Sequence, residues 1–158
     1  MSTTLKITLP FTPKAKAAIR TGKYGHYNPS AKGMSQLRQY IQTVLKDRTC
    51  PLFSGALLVV AHYRIPAAQS LPQWKRTLQH CCPHIKKPDG DNLEKFLNDA
   101  LKGVVWSDDS IIAWLLRSKT VTHAREGQIQ LFVRELDSDK TDFMQIIDDI
   151  REHIDFGD

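Results

Sequence analysis

The chain has no apolar run close to the roughly 18 residues that a membrane-spanning helix needs. Its opening residues, Met1, Ser2, Thr3 and Thr4, lack the apolar core of a secretory signal. Both absences point to a cytoplasmic protein with no membrane partner. Cysteine is scarce: there are three in 158 residues, an odd number, with Cys81 and Cys82 adjacent. That pattern argues against a secreted disulfide framework. Internal repeats, low-complexity tracts and interdomain linkers are also missing. Acidic residues are absent from Lys14 to Lys32, where Lys14, Lys16, Arg20, Lys23 and Lys32 stand among Tyr24, His26 and Tyr27. So one-sided a run reads either as a solvated loop or as a surface that touches phosphate.

What is present bounds the rest. A chain of about 150 residues buries roughly 68–70% of its unfolded surface, and 158 residues with 41% hydrophobic content fit one domain spanning 1–158. The net charge of +5 suits a polyanionic partner, with nucleic acid the leading candidate.

Periodicity supplies the elements. Leu5 to Leu9 alternates apolar and polar, as a half-buried strand does, and Pro10 stops it. Leu37, Tyr40, Ile41, Val44 and Leu45 paint one stripe on a helix from about Ser35 to Asp47. Ala56 to Ile65 is nearly continuously apolar, the mark of a central strand. A short helix is expected around Trp74 to Leu78, among prolines that keep its surroundings irregular. Leu93, Phe96, Leu97, Ala100 and Leu101 form a further helical stripe, with Gly103 placed as its C-terminal cap. Ile111 to Val121 and Gln128 to Glu135 read as strands joined in a β-hairpin around Glu126-Gly127. A last amphipathic helix, at about 138–154, carries Phe143, Ile146, Ile147, Ile150 and Ile154, and Ser138 is placed to cap it. This order predicts an α/β (α+β) fold, a mixed sheet packed with helices.

The chemistry gathers around the helix that begins near Asp91. Asp89-Gly90-Asp91-Asn92-Leu93-Glu94-Lys95 opens it and Ser107-Asp108-Asp109-Ser110 follows it. Hard divalent cations take carboxylate oxygens and retain several waters, so a few aspartates from two turns suit a magnesium site for phosphate chemistry. Asp91 and Glu94 also fit a capping box, and Asp108 and Asp109 also fit a turn. A cap explains one aspartate; it explains neither Asp89 nor Lys95, which projects beside Asp91 one turn later. If the Gly103–Ser107 loop doubles back, the Asp108-Asp109 pair comes close to Asp89 and Asp91. Lys14, Lys16, Arg20, Lys23, Lys86 and Lys87 are candidates for DNA backbone contact. Tyr24, Tyr27 and Trp74 are candidates for stacking on bases, against ordinary packing. Competing readings are a non-catalytic DNA-binding or architectural protein, and a zinc site from His80, Cys81, Cys82 and His84, whose adjacent cysteines chelate poorly.

Lys87-Pro88-Asp89-Gly90-Asp91-Asn92-Leu93-Glu94-Lys95, then Asp99-Ala100-Leu101, then Gly103-Val104-Val105-Trp106-Ser107-Asp108-Asp109-Ser110 resembles the signature of the RusA family of Holliday junction resolvases. The resemblance, which extends to longer phage-type members, implies a homodimer that nicks four-way DNA junctions with Mg²⁺, or Mn²⁺ in its place. By motif position it implies Asp89, Asp91 and Asp109 as metal-binding carboxylates, Asp108 as second choice to Asp109, and Lys95 as the essential cation.

Overall fold

Strand β4 (Leu57–Pro66) is apolar on both faces over its first half and organises the molecule. In the computed structural model, which describes residues 3–46, 52–137 and 143–153, β4 is paired on both sides. Strand β5 (Ile112–Thr122) lies parallel to it, and β6 (Gln128–Glu135) antiparallel. Strand β1 (Thr4–Leu9) pairs antiparallel with the far edge of β6, giving the order β1-β6-β4-β5. The fold is therefore α+β with a mixed four-stranded sheet, as the periodicity predicts.

The expected β5–β6 hairpin does not form, because β4 lies between the two strands. A strand buried on both faces is most stable with neighbours on both edges, so β4 takes the centre and displaces the local pairing. The connection after β5 must then cross the end of β4. Gly127 makes that crossing close: a Cβ there would run into the Arg64 carbonyl oxygen and the rings of Pro13 and Pro66.

Helix α1 (Ala31–Lys46) starts four residues before the expected Ser35. Helix α3 (Gly90–Leu101) lies beside it, and both pack on one face of the sheet. Leu37 and Ile41 of α1 and Leu93, Phe96, Leu97, Ala100 and Leu101 of α3 meet Leu57, Val59, Ala61 and Tyr63. Arg38 ties the helices together, donating from Nε to the Ala100 carbonyl (2.8 Å) and from Nη2 to that of Asp99 (2.7 Å). These carbonyls belong to the unsatisfied end of α3, which a cation stabilises twice, as donor and as charge.

The opposite sheet face is partly covered by helix α4 (Phe143–His153), whose Ile146 packs with Leu58, Val60 and Phe132. The proposed capping residue Ser138 and the stripe residue Ile154 lie outside the described residues. Short helix α2 (Gln73–Leu78) forms where expected. The basic segment holds a hairpin that the periodicity did not announce: β2 (Arg20–Gly22) pairs with β3 (Gly25–Tyr27), three exposed residues on each side.

After α3, Gly103 takes a φ of +75° and the chain folds back. Phe53 holds it there: its N–H donates to the Val105 carbonyl and its carbonyl accepts from the Ser107 N–H, both at 2.9 Å. Trp106 between them is fully buried. Removing a buried Trp side chain costs about 3–5 kcal/mol, so Trp106→Ala is expected to lose that much stability in chemical denaturation. A loss below about 1 kcal/mol would show that Trp106 does not anchor this return.

Candidate active site

The sheet and α3 place acidic side chains at both ends of that helix. Asp89 is the residue before its first turn (φ −70°, ψ 145°), yet its side chain makes no capping hydrogen bond. Asp91 lies inside the first turn, so the capping box from Asp91 and Glu94 is not made; the helix begins at Gly90, with Asp89 rather than Asp91 at its N-cap position. Glu94 is drawn instead to Arg117 of β5, whose Nη1 donates to its Oε2 at 3.0 Å. Asp89 and Asp91 are exposed at the positive end of the helix dipole. Lys95 brings its ammonium to 3.6 Å from the Asp91 carboxylate. With both side chains more than half exposed, that pair adds little to stability; what it provides is paired charge at an open surface.

Residues that sequence reasoning passed over complete this end. The Arg117 guanidinium lies against the first turn, and a Cβ on Gly90 would stand 2.7 Å from its Nε. Glycine between the two aspartates thus admits a cation to the helix start. Lys119, two residues along β5, donates to the carbonyls of Pro88 (2.9 Å) and Lys86 (3.2 Å). It holds the strap that carries Lys86, Lys87 and Asp89. The available signal was the Arg117-x-Lys119 spacing, which puts two cations on one face of a strand. Beneath them the Tyr63 hydroxyl is buried with no hydrogen-bond partner among the described residues. Burial, with the nearby Glu94 carboxylate, pushes this phenol up from its ordinary range.

At the other end, Lys102 follows the last turn of α3 and its ammonium bridges two carboxylates. It pairs with Asp108 and reaches Asp109 at 3.4 Å. Asp108 also accepts from the Ser110 N–H at 2.9 Å, capping a 3₁₀ turn over Asp109–Ile111. Asp108 is therefore a turn former, as one reading of the pair required, while the Asp109 carboxylate makes only the longer contact to Lys102 among the bonds described.

The Gly103–Ser107 loop does double back, but onto Phe53 and the C-terminal end of α3. Twelve helical residues span about 18 Å, so Asp89 and Asp91 stand at one end of a rod and Asp109 beyond the other. Carboxylate oxygens are the right donors for a hard divalent cation. Among the described residues, however, no three His, Cys, Asp or Glu side chains are gathered to hold a metal ion. The three aspartates are therefore not brought together within one chain.

The basic candidates divide similarly. Lys86 and Lys87 are exposed on the strap beside Asp89. Lys14 is exposed along a groove with Gly33, Gln36 and Phe96. Lys16 pairs with Asp99, and its N–H donates to the Asn92 carbonyl at 3.0 Å, fastening the N-terminal segment to α3. Arg20 lies on the β2–β3 hairpin and Lys23 at its tip. Of the proposed zinc ligands, His80 faces Arg64 and His123, Cys81 faces Arg64, and Cys82 faces the Leu78 carbonyl.

The Lys102 hydrogen bond, reinforced by Ser110, holds the Asp108 carboxyl well below the usual carboxylate range. A depressed carboxyl stabilises the fold above its unfolded pKa of about 3.9, and that contribution is lost as pH falls through the lower folded value. In a carboxyl NMR titration, Asp108 is expected to stay ionised where other exposed carboxylates protonate. Lys102→Ala should return it toward the ordinary range, and an unchanged titration in that variant would refute the bridge.

No curated protein matches the chain. The family model described as Endodeoxyribonuclease RusA matches residues 10–133, well over half of the chain, including both ends of α3. Members of that family are hydrolases of DNA that generally depend on a divalent metal, and their substrate is branched DNA. No helix among the described residues is long and apolar enough to cross a membrane. The chain belongs to the RusA family and is an endodeoxyribonuclease of the Holliday junction-resolving type.

Proposed function

We propose that this protein resolves four-way DNA junctions by paired symmetrical nicks, as a homodimer that uses Mg²⁺, with Mn²⁺ able to substitute. The whole chain acts as one catalytic domain, and it works in the cytoplasm. The observation that carries the reading is the uncapped start of α3: two exposed carboxylates, neither used as a cap, beside Lys95 and the backbone N–H groups of a helix N-terminus.

Asp89, Asp91 and Asp109 are the proposed metal-binding carboxylates. The rod length of α3 supports a composite centre, in which the Asp89-Asp91 half-site of one copy meets the Asp109 half-site of another. A C2 dimer makes two such centres at once, matching the near two-fold symmetry of a four-way junction. The bound cation would supply a polarised water and offset charge on the leaving oxygen. Lys95 supplies fixed positive charge to the phosphate in the transition state. Lys14, Arg20, Lys23, Lys86 and Lys87 contact the DNA backbone; Lys16 belongs to this set once it exchanges Asp99 for a phosphate.

Asp91→Asn removes a ligand and also a negative charge that repels phosphate. It is expected to abolish cleavage while retaining junction binding. The assay incubates labelled four-way, forked and linear DNA with Mg²⁺ or EDTA and maps the nicks. Paired nicks confined to the four-way substrate support the proposal, whereas full Mg²⁺-dependent cleavage by Asp91→Asn overturns the assignment of that residue. A bound but uncut junction with wild-type protein would favour the architectural reading instead.

A further inference from the structure

The β2–β3 hairpin is built to project rather than to pack. All six strand residues are exposed, among the described residues the hairpin joins no other strand, and its final pair, Gly22 and Gly25, leaves Lys23-Tyr24 as the turn. Strands of three residues reach about 10 Å, enough to hold a side chain clear of the surface they leave. A cross-strand bond between Thr21 Oγ1 and His26 Nδ1 (3.1 Å) fixes the register. Tyr27 serves the hairpin itself, since its ring lies 3.5 Å from where a Cβ of Gly22 would be. Tyr24 has no such duty. Its side chain at the tip is 96% exposed, and the contact described for its ring is the Lys23 ammonium, 5.8 Å from the centroid.

One exposed aromatic residue is ordinary on a protein surface. Its setting decides the reading here. Lys23 adjoins it in the turn, Arg20 and His26 stand on the strands of the same hairpin, and there is no acidic residue in the first 46 positions of a chain whose remaining 112 hold all 17. A lipid surface would ask for a broader apolar patch than one ring, and an acidic protein partner would not require an aromatic tip. A branched DNA supplies both requirements at one place: closely spaced phosphates, and at the crossover the faces of terminal base pairs. Aromatic rings stack on base faces with little regard to sequence, while flanking cations follow the backbone.

We propose that the hairpin is a branch-point probe: Tyr24 stacks on an exposed base face at the crossover of a four-way junction, while Lys23 and Arg20 hold the adjoining phosphates. This rests on the resolvase reading above and deepens it, because it assigns recognition of the branch to a part of the chain distinct from α3. Duplex DNA has no open base face at its centre, so the Tyr24 contact favours junctions over linear duplex.

The test uses the full chain in EDTA and a junction with 2-aminopurine beside the crossover. Wild-type protein is expected to change the 2-aminopurine fluorescence on binding. Tyr24→Ala should lose most of that change and bind the junction about tenfold more weakly, within the 1–3 kcal/mol range of base–aromatic stacking. Its duplex affinity and melting temperature should not move, and Tyr24→Trp should restore the signal. Lys23→Ala should lower the salt slope of binding by about one. Wild-type junction cleavage together with unchanged fluorescence and affinity in Tyr24→Ala overturns the probe and leaves the resolvase reading standing. Failure of wild-type protein to bind or cut the junction sinks both.

Discussion

The packing of α3 against the sheet is the constraint on which the site depends. Leu93, Phe96, Leu97, Ala100 and Leu101 are all buried in the main core, so the helix can neither rotate nor slide without exposing apolar surface. Each buried Leu or Phe contributes roughly 1.5–3 kcal/mol, far more than the exposed ion pairs at either end. The stripe therefore decides where the charges stand. Asp89 and Asp91 are carried to one end of the rod and Lys102 to the other, whatever the charges themselves prefer.

Cations then order each end locally. Arg117 and Lys119, neighbours on one face of β5, hold Glu94 and the strap before Asp89. Arg38 satisfies the carbonyls where α3 stops, and Lys102 gathers Asp108 and Asp109 just beyond. The result is a surface on which carboxylates alternate with ammonium and guanidinium groups. On such a surface Asp91, Glu94 and Asp108 each have a cation nearby, so much of the negative charge at both ends of α3 is offset locally. Helix α3 keeps the two acidic pairs apart, and among the described residues no three His, Cys, Asp or Glu side chains gather to hold a metal ion.

Much of this was legible in the residues. The five-residue stripe of α3, the unbroken apolar run of β4 and the alternation of β1 follow from burial alone, which imposes its period on any sequence that folds against a core. The acidic motif stood out for a different reason: hard cations and phosphates favour particular groups at particular spacing, which is why Asp89, Asp91, Lys95 and Asp109 were candidates; the fold keeps Lys95 beside Asp91 but does not gather the three aspartates within one chain. Start and end points were less legible. α1 begins at Ala31 rather than near Ser35 because Asn28 and Ser30 organise the chain ahead of the apolar stripe, Ser30 taking the Ala17 N–H at 2.8 Å.

The sequence by itself determined where the main helices and strands lie, the short β2–β3 hairpin excepted, and which segments carry the basic and the acidic residues, because each depends on neighbours close along the chain. Tertiary structure alone decided that β4 separates β5 from β6, that Glu94 leaves its cap for Arg117, and that Asp109 stays with Lys102. Those outcomes turn on contacts between residues distant in sequence, where competition for the most buried strand position and for the nearest opposite charge is settled only once the core has closed.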